Sequence, residues 1–325
     1  MNIALTKELL TNFFWNIEYN AGASFAQAVR SNIASHTPFN DTVRADDKLT
    51  PKMEILVRKA SDRRQFQKEH ALQLTGDKML QQQAELFTKK IAVGNARSLS
   101  WWDEIDDDDD VINLLHVEGP ITRNGGACSY GSKDIRDQML YVANMQNCIG
   151  HILLIDSPGG NAFSSNDFEQ ATDAARNAKQ PTIGLIDGMC CSAAFDFSAM
   201  LDEVYYSHPK DVIGCIGTYF TTFTNKNGDQ NTINQEVFRE IYAEVSSDKN
   251  LAFRELSEGK EELIKEWVNK FANEFRERVK ARRPNTPEDW LKGKDLEASE
   301  TVGIWTEGQS DLNGCIQRIL DMQQR

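Results

Sequence analysis

Two short apolar runs, His151–Ile155 and Thr182–Ile186, each give way abruptly to a stretch of small residues. The first is followed by Asp156-Ser-Pro-Gly-Gly160. The second leads to Gly188-Met-Cys-Cys-Ser-Ala-Ala-Phe-Asp-Phe-Ser-Ala199. Apolar runs without polar alternation are the pattern of strands covered on both faces, as in a parallel sheet. The first turn supplies two adjacent glycines, and the second places Ser192 at the start of a small-residue helix. Backbone N–H groups facing a hydroxyl across two neighbouring strand ends are the minimum equipment for acyl transfer, a nucleophile beside an oxyanion hole. The spacing therefore points first to a serine hydrolase.

The same texture runs through the C-terminal two thirds of the chain. A strand over Val111–Val117 precedes a Gly/Ser loop, Gly125–Ser132, and a helix over about 133–147. Strand 151–155, helix 164–178, strand 182–186, helix 192–201 and strand 203–207 follow, with a further short strand around Gly214–Tyr219. Strands alternating with helices through short loops predict an α/β parallel sheet. Leu263, Trp267, Phe271 and Phe275 recur every four residues in Lys260–Arg283, with Ile264, Val268 and Val279 widening the stripe. That predicts a long amphipathic helix, ended by Pro284, whose apolar face serves the core or a subunit interface. A strand–helix unit over Trp290–Arg325 closes the chain.

Residues 1–105 read as a polar, mostly helical N-terminal extension, with helices over Lys52–Lys59 and Arg63–Lys90, the latter rich in Gln, Lys and Glu. The catalytic domain is placed at 106–325. Between them Asp106–Asp110, five aspartates in a row, are expected to repel one another into a solvated linker.

Composition narrows the function. The 325 residues are 40% hydrophobic and 26% charged, and the net charge of −13 argues against nucleic acid or an anionic membrane as the main partner. No stretch is apolar for long enough to span a membrane, and Met1–Phe14 lacks the layout of a secretory signal, so the expected location is cytoplasmic. The six cysteines form no CxxC and no Cys/His ligand spacing, which predicts buried thiols and no zinc site.

A hydroxyl needs a base. His36 and His70 lie in the extension, His116 and His151 at or within predicted strands, and His208 before a proline. None has the setting of a base with an orienting carboxylate. A lysine that loses its proton in a desolvated site is the alternative. Cys190 and Cys191 are rival nucleophiles by chemistry alone.

At this point the motifs converge. Gly119-Pro-Ile-Thr-Arg-Asn-Gly-Gly-Ala-Cys-Ser-Tyr-Gly-Ser132, Asp156-Ser-Pro-Gly-Gly160, Cys191-Ser-Ala-Ala-Phe195 and Ile213-Gly-Cys-Ile-Gly217 resemble, in order, the signal peptide peptidase A family. They are most similar to its phage and prophage branch, which includes capsid (prohead) proteases. The resemblance implies a Clp-protease/crotonase-like spiral of ββα units and a Ser–Lys endopeptidase that cleaves polypeptide substrates. It also implies a homo-oligomer, plausibly a ring, with phage head or scaffold proteins as partners and no metal or organic cofactor. Residue by residue, Ser192 matches the nucleophile and Gly159 the oxyanion-hole glycine, with Gly160 beside it and the Ala193 N–H as second donor. Lys249, in Ser246-Ser-Asp-Lys-Asn250, is the best match for the base; Ser247 would help orient it, and Lys226 and Lys260 fit less well. Cys215 stands where the family usually has a serine between glycines. Degradation of signal peptides, a crotonase-type acyl-CoA enzyme, or a head protein without protease activity remain the alternatives.

Overall fold

The uninterrupted apolar runs form a sheet that is covered on both faces. The computed structural model describes residues 14–17, 53–70, 76–92, 105–125, 131–220, 232–233, 236–237, 248 and 250–324. The first half of these residues holds β1 (Phe14–Ile17), β2 (Met53–Arg58), α1 (Ala60–His70), α2 (Asp77–Ala84), β3 (Lys89–Ala92), β4 (Asp110–Glu118), α3 (Ser132–Ala143), β5 (Cys148–Ser157) and β6 (Gly159–Asn161). Next come α4 (Ser165–Asn177), β7 (Thr182–Cys191), α5 (Ala193–Ala199), β8 (Glu203–Tyr206), β9 (Val212–Gly214) and β10 (Tyr219–Phe220). The remainder is β11 (Thr232–Ile233), β12 (Glu236–Val237), α6 (Leu251–Ser257), α7 (Glu262–Arg282), β13 (Asp295–Glu297), β14 (Gly308–Gln309) and α8 (Leu312–Gln323).

The main sheet runs β13-β9-β7-β5-β4-β2-β3, with β8 and β14 branching from β7. Its centre, β4-β5-β7 with β8 and β9, is parallel, and β2, β3 and β13 are antiparallel to their neighbours. Alternate residues of each strand feed two cores. Val111, Leu115, Val117, Leu153, Ile155 and Ile186 pack with Ile135, Met139, Phe168 and Phe275 from the helices on one face. Ile112, Leu114, Ile152, Ile183 and Leu185 pack with Ala84, Ile316 and Ile319 from α2 and α8 on the other. This is the mixed α/β architecture, a mostly parallel sheet between helices, expected of a Clp/crotonase-like fold.

Several expectations fail: Phe14–Ile17 and Lys89–Ala92, in the part read as helical, are strands β1 and β3, and Gly214–Tyr219, read as one strand, is the end of β9 and the start of β10 with no strand between. Residues 53–58, predicted helical, are strand β2, paired on one side with β4 and on the other with β3. The alternation Met53, Ile55, Val57 against Leu56 is the strand period, and all four are buried. The aspartate run is not a free linker either. Lys59 Nζ reaches Asp109 at 2.6 Å, and Arg58 Nε and Arg63 Nη1 hold the two oxygens of Asp110 at 2.9 and 2.7 Å. Asp109 Oδ1 also accepts the Ala60 N–H at 2.9 Å, capping α1. The repulsion expected among like charges is cancelled by basic residues fifty positions upstream, which the local composition does not reveal.

The long helix divides the labour of its stripe. Phe275 and Val279 are buried, whereas Trp267 is 42% exposed. Trp267 packs edge-on against Phe253, which meets Phe220, and Phe271 packs edge-on against Phe163.

One buried polar chain sets an acid limit. His151 is fully buried on β5; its Nδ1 faces Asn113 Nδ2 at 3.0 Å and its Nε2 faces Gln180 Oε1 at 2.9 Å. This arrangement fits the neutral ring, with Nε2 donating and Nδ1 accepting, and burial pushes the imidazole down to about 4. A structural histidine of this kind is no general base. In the unfolded chain it takes up a proton near 6.5. Stability is therefore complete above that value and falls as the pH drops towards 4, by about 3 kcal/mol from this group. Urea midpoints measured between pH 7.5 and 4 should decline accordingly, and the decline should be shallower in His151→Gln; equal slopes would dismiss the assignment.

Candidate active site

Register brings the two turns together. In the parallel pair β5/β7, Ser157 lies opposite Cys190, so Gly159 and Ser192, each two residues further on, emerge at the same sheet edge. Gly214, at the end of β9, lies opposite Cys191 on the other side.

The glycine turn is built for close approach. Gly159 has φ 96°, a conformation that side chains resist. Ile121 N–H donates to Gly159 O at 2.8 Å, and Asn161 N–H donates to Ile121 O at 2.9 Å. A Cβ on Gly160 would run into the Ile121 carbonyl, so only glycine fits there. Ser157 Oγ donates to Gly119 O at 2.7 Å and accepts the Gly159 N–H at 3.2 Å. That last bond is long, and an oxyanion would compete well for the Gly159 donor.

Ser192 sits on a strained elbow. Its φ of 56° and ψ of −118° are rare for a residue with a side chain, and such a conformation costs about 1–3 kcal/mol. The surroundings enforce it: Ser192 N–H donates to Gly214 O at 2.8 Å, and Ser192 O accepts the Asp196 N–H at 2.8 Å. The residue is 1% exposed, and its hydroxyl makes no capping bond to the helix it precedes. Ala193 heads α5, where a backbone N–H has no acceptor within the helix.

α5 is wholly buried and fixed by side chains remote in sequence. Phe197 stacks on Phe168 with ring centroids 4.1 Å apart, and Phe195 lies 4.4 Å from the Trp305 ring. Asp196 meets Arg278 of α7 through two bonds, Nε–Oδ1 at 3.0 Å and Nη2–Oδ2 at 2.6 Å. Burial pushes the Asp196 carboxyl up, and the guanidinium opposes that shift. Arg283 Nη2 donates to Leu201 O at 3.0 Å just beyond the far end of the helix. None of these supports was read from the sequence, because each pairs residues many positions apart.

The rival groups are accounted for unevenly. Cys190 is buried, bonded to Ser198 Oγ at 3.3 Å, and its thiol is pushed up to about 12 by desolvation, so it is a poor nucleophile. Cys191 is buried with Sγ 3.9 Å from Val212 O. His116 lies between Glu54 and Glu118, and His208 Nδ1 accepts the Lys210 N–H. Lys260 is exposed and bonded to Glu258 at 2.8 Å, which raises its pKa and keeps it charged. Lys249, Lys226, Ser247 and His36 lie outside the described residues. Among the described residues, no group of three or more His, Cys, Asp or Glu is placed to hold a metal ion, and no helix is long and apolar enough to cross a membrane.

With this geometry in view, comparison with known proteins points towards a peptidase. No protein-family model matches the chain. Over 117 residues, 35% of the chain, it is 28% identical to Protease 4 of Haemophilus influenzae, a signal peptide peptidase A protein. The matched stretch spans 19% of that protein, so the likeness is weak and partial. It supports a peptidase of that type at the coarse level.

Proposed function

We propose that the chain is a serine endopeptidase in which Ser192 is the nucleophile and Lys249 the general base. The observation that carries the reading is the enforced positive φ of Ser192 at a strand-to-helix elbow, in register with the Gly159 turn. Strain of this kind persists where the neighbouring structure over-determines it, and it turns a side chain out of the sheet. In the proposed reaction the neutral Lys249 amine takes the Ser192 proton and Oγ attacks the scissile carbonyl. The N–H groups of Gly159 and Ala193, with Gly160 shaping the approach, hold the negative oxygen. The amine leaves with the proton, and water then releases the acyl group from Ser192.

A crotonase-type acyl-CoA enzyme would use the paired N–H groups without needing a serine at this elbow, so the strain at Ser192 disfavours it. The substrates are extended polypeptides, and by motif resemblance scaffold or capsid precursors of a phage head. Co-expression with such a precursor should yield Ser192-dependent fragments; processing of signal peptides alone would replace this substrate choice with the other.

A fluorophosphonate probe tests the nucleophile directly. The full chain should acquire one adduct on the peptide containing Ser192, and Ser192→Ala none. An adduct on Cys191, or no adduct at any pH between 6 and 10 (roughly the span over which a lysine base would gain activity), would overturn the proposal.

A further inference from the structure

Strand β7 changes neighbours partway along, and the change sets the height of Ser192. Up to Ile186 it pairs with β8, and from Met189 onward it pairs with β9. On its other side the register with β5 slips at the same place: Ile155 lies opposite Ile186, but Ser157 lies opposite Cys190. Without that slip Ser157 would face Gly188, and Gly159 would face Cys190. Ser192 would then sit two residues past the oxyanion turn, about 7 Å at the rise of a strand. A nucleophile and its oxyanion donors must each lie within about 3 Å of the reacting atoms. The bulge over residues 187–189 is therefore a condition of the proposed chemistry.

Two aspartates hold the bulge, one from each side. Asp211 leads into β9 and is buried. Its Oδ1 accepts the Gly188 N–H at 3.1 Å, and its Oδ2 accepts the Ser207 and His208 N–H groups at 3.1 and 2.9 Å. Three residues further on, Gly214 O receives the Ser192 N–H. One carboxylate thus joins the bulge of β7 and the end of β8 to the strand that holds the elbow. From the β5 side, Asp156 Oδ1 accepts the Met189 N–H at 3.1 Å. A Cβ on Gly188 would come within 2.6 Å of that same oxygen, so bare backbone is what lets the carboxylate close in. We infer that Asp211 and Asp156 are positioning residues that lock β7 in the register placing Ser192 level with Gly159. This rests on the serine peptidase reading. Neither carboxylate touches the reacting atoms; each acts through the backbone amides of the bulge.

The two carboxylates use their oxygens differently, and that difference is the test. Asp156 bonds through one oxygen, which an asparagine carbonyl can replace. Asp211 needs both. An asparagine there must turn its NH2 towards Gly188 or towards the Ser207–His208 pair, setting donor against donor. Partial burial and the nearby carboxylates of Glu118, Asp187 and Asp211 push the Asp156 carboxyl up, so a neutral side chain at either position relieves the same repulsion. A role confined to charge would make the two asparagine variants alike. The measurements, on the full chain, are the rate at which a fluorophosphonate labels Ser192 and the kcat and KM for a quenched fluorogenic peptide. Asp211→Asn and Asp211→Ala should lower the labelling rate and kcat about 10²-fold, as a misplacement of roughly 1 Å does, with KM little changed. Asp156→Ala should lower both about tenfold, the worth of one hydrogen bond, and Asp156→Asn should restore them. Asp156 lies at the surface, so this pair decides the matter even where Asp211 variants fail to fold. Leu114→Ala, in the core on the other face, is the control: it weakens the sheet yet should keep kcat. Hydrogen exchange in Asp211→Asn should quicken over 187–192 and stay at the wild-type rate over 111–117. A rise across the whole sheet would mark general loss of stability and overturn the assignment. Wild-type labelling rates in Asp211→Asn and Asp156→Ala would overturn the register clamp and leave the peptidase reading standing. A wild-type chain that gains no adduct on Ser192 would end the peptidase reading itself, and the positioning role with it.

Discussion

Ser192→Ala is expected to lower peptide hydrolysis by about 10³ or more, the scale on which removal of a nucleophile acts, with little loss of stability. The asymmetry follows from the site. The hydroxyl makes no capping bond to α5, so its removal costs that helix no cap. The backbone bonds that hold the elbow, Ser192 N–H to Gly214 O and Asp196 N–H to Ser192 O, do not involve the side chain. Alanine and serine also meet the same penalty at φ 56°. Ser192→Gly should be equally inactive yet more stable than Ser192→Ala, because glycine accepts that φ without strain. Hydrolysis of the fluorogenic peptide and urea midpoints of the three proteins check both halves. Near wild-type cleavage by Ser192→Ala together with an inactive Cys191→Ala would move the nucleophile to the thiol.

Where the sequence is legible, the reason is periodicity joined to glycine chemistry. The strands over 111–117, 151–155 and 182–186 are found within β4, β5 and β7, because short uninterrupted apolar runs bounded by turn residues suit strands covered on both faces. Gly159 and Ser192 are legible as a pair because each closes such a strand, and parallel register then forces them to one edge. The early part of the chain is less legible. Met53–Arg58 contains glutamate and arginine, and its strand character comes from a partner, β4, more than fifty residues away. Asp109 and Asp110 look solvated until Lys59, Arg58 and Arg63 arrive across the same distance. The fixation of α5 by Arg278 is invisible for the same reason: one buried carboxylate in a small-residue helix gives no sign of its partner on α7.

The general base carries the other large expected effect, and here the argument is chemical. An amine accepts a proton only when neutral, and free lysine has a pKa of about 10.4. A lysine working beside Ser192 must lose its charge more readily than that, through desolvation as substrate fills the site. Hydrolysis should therefore rise with pH along one limb, with its midpoint above the range of a histidine and below that of free lysine. Lys249→Arg should be as inactive as Lys249→Ala, about 10² or more below wild type, since guanidinium keeps its proton at every accessible pH. Lys249→His should regain part of the rate with the limb displaced downwards, a shift that a merely structural lysine would not produce. Lys260 offers no substitute, because its bond to Glu258 holds it charged and exposed. Wild-type rates in both Lys249→Arg and Lys249→Ala would remove Lys249 from the mechanism and direct the same measurements to Lys226 and His208.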